Sequence, residues 1–437
     1  MTKRPLIIQK YGGMSLATAQ HIRTAARRVA KLRAGGHDVI VVVSAMGSST
    51  DQLIQQAYAV SETPNRRELD MLLSTGERVS MALFSMALSD ALAELAPEAR
   101  ALSFTGSQAG ILTDETHSNA RIVDLKAIRV EEELGRGNVV ILAGFQGVSP
   151  ITKEITTLGR GGTDVTAVAL AAAFHADRCE ILKEVPGVLS ADPKTVPAAR
   201  PLTNLSHEQL LDMTFWGAKV LHYRSVELAM THGVPVFVGL AHATTDQQLE
   251  TFTQITNATK ASARNPSEEK SMSYEKSTVL AVTSHADVRQ IKMRISKSTA
   301  AHDPALSFGS PISQVLKKIS EALSKKRLPM PQLLDVTGPV ADGSEICFLM
   351  TAPSEALNAQ VGALEDNGFQ ADTTAFCTVT ATCQGAYATD FPTVLAEKLA
   401  SAGIVIHKMI FGPLSITFVL PAEQRTESVT VLHSFST

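Results

Sequence analysis

The sequence predicts an α/β protein: a largely parallel sheet sandwiched by helices, followed by smaller α+β units. Three observations predict it. Fully apolar runs such as "DVIVVVSAMG" and "NVVILAGFQG" suit strands covered on both faces. Stretches with helical spacing separate those runs, as the crossovers of a parallel sheet require. Beyond residue 257 the order changes to strand, helix, strand in short units.

The elements follow in chain order. "PLIIQKYG" reads as a strand stopped by Gly12 and Gly13, a turn of the phosphate-binding kind. Residues 16–34 carry Ile22, Ala25, Ala26, Val29 and Leu32 at helical spacing. Arg23, Arg27, Arg28 and Lys31 lie mostly off that stripe and read as a solvated helix face. After the strand "DVIVVVSAMG" come helical stretches near 50–60 and 67–95, with Glu77 of "LLSTGERVS" early in a helix. "NVVILAGFQG", "CEIL" and "VPVFVG" supply further central strands. Between them, "TTLGRGGTDVTAVALAAAF" is a glycine-rich loop running into a buried helix. Glycine lets backbone N–H groups approach a ligand closely, and Thr163 or Asp164 near the N-cap adds to an anion-binding helix start. Arg160 beside it suits a carboxylate or phosphate clamp.

The domain expectations are a first domain over 1–256, a polar linker over 257–277, and two small α+β units over 278–370 and 371–437, with strands exchanged between them as an option. "STVLAVTS", "EICFLMTA", "FCTVTATCQ" and "LSITFVLP" are the β runs, and "PISQVLKKISEALSKK" and "FPTVLAEKLASAG" the helices.

Bulk properties exclude several classes. The balance of 40 basic and 43 acidic side chains in 437 residues offers no field to draw nucleic acid or an anionic membrane. The apolar run at the N-terminus is too short for a signal peptide, and no segment approaches ~20 apolar residues. Cys179, Cys347, Cys377 and Cys383 form no C-x-x-C pair, which points to a reducing cytoplasm. Walker A spacing and the protein-kinase motif set are both absent.

Several motifs combine. "KYGGMS" places Lys10 before a Gly-Gly turn; "SAMGSSTDQL" offers the hydroxyls of Ser44 and Thr50; "ELDMLLSTGERVS" offers the Glu77 carboxylate for an ammonium group; "LGRGGTD" supplies Arg160 and Asp164. In this order, together with "GSQAGILTDETH", "GAKVLHYRSVELA" and "ADPKTVPAAR", they resemble the aspartate kinases of the amino-acid kinase family, and the tail resembles tandem ACT domains of ferredoxin-like fold.

The resemblance implies transfer of the ATP γ-phosphoryl group to the side-chain carboxylate of L-aspartate, with Mg2+ arriving on ATP. It assigns Lys10 to the transferring phosphate, and Asp164 to orienting Lys10 or contacting the substrate amine. Arg160 would grip a substrate carboxylate, Glu77 would face the ammonium, and Ser44, Thr50 and Thr163 would complete the hydrogen bonding. Gly12, Gly13, Ser15, Gly161, Gly162, Lys183, Glu184, Asp192, Lys194 and Lys219 would face phosphate or nucleotide. Partners implied are an amino-acid effector at the ACT region and further copies of the chain, as a homodimer or larger. His117 and His222 read as solvated or core-edge histidines, since a carboxylate nucleophile needs no base.

The match breaks at "CEILKEVPGVLSADPK", where the family commonly reads T-D-V-D-G-V. Lys183, Glu184 and Pro186 stand at the threonine and the two aspartates, and Met14 replaces the usual threonine of the first motif. Ile312 and Thr393 follow Pro311 and Pro392 where glycine is common at ACT helix starts. Two alternatives therefore accompany aspartate kinase: a paralogue with a degenerate nucleotide site that senses an amino acid, and a kinase for another amino-acid carboxylate.

Overall fold

The computed structural model describes residues 4–242, 252–257, 278–294, 311–326, 328, 330–338, 345–384 and 390–436. The expected linker lies outside them beyond Asn257, as do the residues just before Pro311. The chain divides into two compact units: Met1–Leu189, Pro201–Phe215 and Lys219–Lys270 form the first, and Ser190–Arg200, Trp216–Ala218 and Ser271–Thr437 the second. Among the described residues, no helix is long and apolar enough to cross a membrane.

The first unit is the expected α/β domain. Its strands are β1 (Leu6–Tyr11), β2 (Asp38–Val43), β3 (Ala101–Phe104), β4 (Ile111–Thr113), β5 (Ile122–Leu125), β6 (Val139–Ala143), β7 (Gln146–Val148), β8 (Ile155–Thr157), β9 (Arg178–Lys183), β10 (Asn204–Ser206), β11 (Val236–Leu240) and β12 (Phe252–Thr256). Its helices are α1 (Ala19–Ala34), α2 (Ser49–Val60), α3 (Arg66–Leu95), α4 (Ile128–Gly135), α5 (Gly162–Ala173), α6 (His207–Phe215) and α7 (Tyr223–His232). Among the described residues the main sheet runs β10-β12-β11-β9-β1-β2-β6-β3, parallel except between β11 and β12. The short strands β4, β5, β7 and β8 pair in a second small sheet, which periodicity alone did not predict.

Why β1 is central follows from its composition. All six of its residues are buried, so it can lie only between two other strands and under helices on both faces. On one face Tyr11 packs with Ile22, Val29, Val41 and Phe84. On that same face Gln9 and Tyr11 join a buried polar network: Gln9 Nε2 donates to Glu180 Oε2 at 2.7 Å, and Tyr11 Oη donates to Gln9 Oε1 at 3.0 Å. Arg28 answers the fully buried Glu180 at 3.6 Å and donates to the Leu240 carbonyl at 2.8 Å. Arg28 is therefore an inward, paired cation and not part of a solvated face: a carboxylate buried in β9 has to find one.

Two local expectations change. Glu77 is buried deep within α3, because that helix begins at Arg66. The N-cap of α5 is Gly161, so Thr163 and Asp164 fall inside the first turn, and no side chain caps it. Lys219, expected to face nucleotide, lies exposed in the connection before α7.

The second unit consists of β13 (Thr278–Arg294), α8 (Pro311–Lys325), β14 (Gln332–Thr337), β15 (Glu345–Thr351), α9 (Ser354–Glu365), β16 (Gln370–Ala371), β17 (Phe376–Gln384), α10 (Phe391–Ser401), β18 (Lys408–Phe411), β19 (Ser415–Pro421) and α11 (Arg425–His433). The two small units expected here share one sheet, ordered β14-β15-β13-β17-β19-β18 among the described residues. One strand, β13, serves both halves: Thr278–Val288 pairs with β17, and Val288–Arg294 pairs with β15. A register shift between His285 and Val288 marks the handover. Each half has its own core, one around Ile291, Ile319 and Phe348, the other around Val379, Leu395 and Phe418.

Phe84 of α3 is fully buried, its ring 5.5 Å from that of Tyr11 at the end of β1. Phe84→Ala should therefore cost the first unit about 3–5 kcal/mol, read as a lowered urea midpoint of its unfolding transition.

Candidate active site

Strand and helix ends converge at the carboxyl edge of β1, β2 and β9. In an open parallel sheet that edge is where loops, helix N-termini and ligands meet. The register places Lys10 beside Ile181, so Lys10, Ile181 and Lys183 point to one face of the sheet. Helix α5 enters on that face, and Lys10 Nζ lies 2.6 Å from Asp164 Oδ1, with both side chains 7 % exposed. Apart from this ion pair, Asp164 Oδ1 has no partner among the described residues. Burial alone would raise the Asp164 pKa, but the charges of Lys10 and Lys183 outweigh it and hold the carboxyl below its ordinary value.

Lys183 ends β9. Its ammonium donates to the carbonyl of Val220, and burial draws its pKa down to about 8, with Asp164 opposing that shift and Lys10 adding to it.

The turn after β1 closes the site on another side. Gly12 N–H donates to the Leu182 carbonyl at 3.2 Å, and Gly47 N–H donates to the Gly13 carbonyl at 2.8 Å. A Cβ on Gly13 would lie 2.7 Å from the Ala45 carbonyl oxygen, so only glycine lets these turns touch. Ala45 N–H in turn donates to Glu77 Oε1 at 3.1 Å, which brings α3 to the same edge. Glu77 Oε2 is buried and has no partner among the described residues. Burial, against the Ala45 bond, pushes the Glu77 pKa up to about 7. Ser44 and Thr50 are half-buried nearby in sequence, at the end of β2 and the start of α2.

The loop before α5 is built for close approach. Gly161 has φ +73, and a Cβ there would fall 2.2 Å from the Cβ of His222. Arg160 is exposed and lines a cleft of about 200 Å³ with Asn119, Arg121, His222, Tyr223 and Arg224. Burial, with Arg224 and Arg160 adding and Asp164 opposing, lowers the His222 pKa. Thr163 is buried, next to Gly144.

The proposed residues thus divide. Lys10, Asp164 and Lys183 share one charged cluster, while Gly12, Gly13, Ala45 and Glu77 form a chain of contacts beside it. Ser15 Oγ is already used, donating to Glu184 Oε1 at 2.8 Å. Lys219 is exposed. Asp192 and Lys194 belong to the second unit, where Asp192 Oδ1 accepts from Lys194 N–H at 2.9 Å.

Two bracing residues escaped sequence reasoning. Asp70 of α3 is fully buried; it accepts from Thr157 Oγ1 at 2.5 Å and from Ser118 N–H at 3.0 Å, and His117 Nδ1 lies 2.7 Å from it. Arg224 donates to the Leu158 carbonyl at 2.7 Å and the Ala120 carbonyl at 3.0 Å. Together they hold the strand end and turn from which Gly159 and Arg160 emerge. The signal for Asp70 was its place two turns before Glu77, on the same helix face.

The model of the amino acid kinase family matches residues 5–239. Over 233 residues the chain is 53% identical to the aspartokinase of Corynebacterium glutamicum, covering 53% of this chain and 54% of that one. In sequence, the chain spans about half the length of the curated relatives it matches. The crystal structure of aspartate kinase from Synechocystis is 30% identical, with a TM-score of 0.51 over 98% of this chain and 68% of that chain. The crystal structure of E. coli aspartokinase III in complex with aspartate and ADP has a TM-score of 0.72 at 20% identity, over 98% and 99% of the two chains, a likeness of fold. With a family model over more than half its length and the parallel sheet and glycine-rich loops described above, the chain belongs to the amino acid kinase family.

Proposed function

We propose that the protein is an aspartate kinase, moving the γ-phosphoryl group of ATP to the β-carboxylate of L-aspartate to give 4-phospho-L-aspartate. The observation that carries the reading is the buried Oε2 of Glu77, without a partner among the described residues, whose Oε1 takes the Ala45 N–H at the same sheet edge as the Lys10–Asp164 pair. A buried carboxylate oxygen without a partner is costly unless a cation completes it, and an amino acid's ammonium is such a cation. Relatives named aspartokinase support aspartate among amino acids.

The chemistry asks little of a base. A carboxylate is already a nucleophile, so the protein's task is to hold two anions together and neutralise charge on the transferring group. Lys10 supplies that charge, and Asp164 fixes where its ammonium points. The uncapped first turn of α5 presents its N–H groups to an anion. Arg160 takes a substrate carboxylate, and Ser44, Thr50 and Thr163 complete the contacts. Magnesium comes with the nucleotide, as part of that substrate. The second unit would bind an amino-acid effector and pair copies of the chain. Four free thiols suit a reducing cytoplasm.

One observation favours a second reading, a paralogue that senses an amino acid without turning over ATP: Ser15 and Glu184 are spent on each other. Hydroxylamine trapping decides. Aspartyl hydroxamate formed from ATP and aspartate supports the kinase; its absence, with folded protein and a panel of amino acids and nucleotides, overturns it.

Further outcomes are expected at Lys10 and at Glu77. Lys10→Met should lower kcat by about 10²–10³ and, by leaving Asp164 buried and unpaired, destabilise the first unit by roughly 3–5 kcal/mol. Adding Asp164→Asn should restore stability to chemical denaturation but not turnover. Glu77, with a folded pKa of about 7 against an ordinary 4.5, holds its ammonium partner best once ionised, so KM for aspartate should fall as pH rises through 7. The same shift makes the folded state bind the extra proton, so the stability penalty of Glu77 grows from pH 4.5 to 7 and is constant above. Glu77→Gln should flatten the KM profile, and in thermal melts should gain up to about 3 kcal/mol at pH 8, shrinking to nothing near pH 4.

A further inference from the structure

The mechanism above leaves one cation of the cluster without a task. Lys183 follows Ile181 on the face of the sheet that also carries Lys10, and its ammonium stands where β9 meets the edge lined by Gly12 and α5. An ammonium has three donors. The Val220 carbonyl takes one of them, and no other hydrogen bond or ion pair ties the group among the described residues. Asp164 is already in contact with Lys10. Two ammonium groups thus share one carboxylate, and the surplus positive charge belongs to Lys183.

Resting on the kinase reading, we propose that Lys183 is a second phosphate-directed cation, whose ammonium exchanges the neutral Val220 carbonyl for the terminal phosphate oxygens of a bound nucleoside triphosphate. A charged acceptor makes a shorter bond, about twice as strong as a neutral one, so the exchange favours the ligand. The uncapped start of α5 and Lys10 converge on the same edge, and an anion arriving there meets both lysines. The rival role is a strut: the bond to Val220 holds the segment leading to His222, which packs over Gly161.

Calorimetry of the full chain with MgATP, MgADP, AMP and adenosine separates these roles. Lys183→Met should weaken MgATP by about tenfold or more, MgADP by less, and adenosine hardly at all, while Lys183→Arg, which keeps the charge, should hold most of the MgATP affinity. Melting curves check that both variants fold. Equal loss for adenosine and MgATP makes Lys183 a strut and overturns the proposal; tighter MgATP binding by Lys183→Met makes the side chain an obstruction and overturns it too. A wild-type protein that binds no nucleotide overturns both this inference and the kinase reading. A wild type that shows the graded phosphate dependence yet yields no hydroxamate supports the inference and overturns the kinase reading alone.

Discussion

The ion pair between Lys10 and Asp164 sets the terms for the first unit. Two charges taken out of water cost several kcal/mol each unless they answer one another closely. Here the lysine comes from the last turn-facing position of a fully buried strand, and the aspartate from the first turn of a helix that begins far along the chain. That requirement dictates where α5 may begin. A residue with a left-handed backbone must precede it, the loop must be thin enough to pass His222, and the loop's own ends must be held. Gly161, Asp70 and Arg224 meet those needs in turn.

The same logic explains the contrast between the two faces of β1. One face carries Gln9 and Tyr11, whose polar atoms are satisfied inside a network ending on Glu180, Arg28 and Arg178. Every member there has a protein partner, as rigid scaffolding demands. The other face carries Lys10, paired with Asp164, and Lys183, which spends a single donor on the Val220 carbonyl among the described residues. A closed hydrogen-bond network on one side and a charged cluster with donors to spare on the other distinguish support from site within a single strand.

The sequence revealed whatever was local. Apolar runs announced β1, β2, β6 and β9, and Lys10 before paired glycines could be read as a phosphate-facing group because strand, cation and turn are contiguous. Glu77 was read as a carboxylate for an ammonium group near a helix start, but Asn65, the residue that caps α3, lies well upstream of it. Arg28 looked like a solvated side chain because its partner Glu180 is distant in sequence. Strands of three or four residues, such as β4, β5, β7 and β8, are too short for alternation to register. Asp70, Arg224 and the Lys183–Val220 bond depend on which loops fold back on which, and no periodicity encodes that. In the second unit, the runs that became β13, β15, β17 and β19 were visible, whereas the joining of two halves through one strand was not.

That joining restricts how the second unit can change over evolutionary time. Because β13 pairs with β17 up to Val288 and with β15 from Val288 on, a one-residue insertion or deletion near the handover would turn the side chains of one half's core outward unless the other half moved with it. The halves cannot diverge by sliding independently, and neither can be lost by a simple truncation, since each would leave the other beside a half-unpaired backbone. Divergence is confined to the helices, the outer strands and the connections, where residues can be exchanged without moving the common strand.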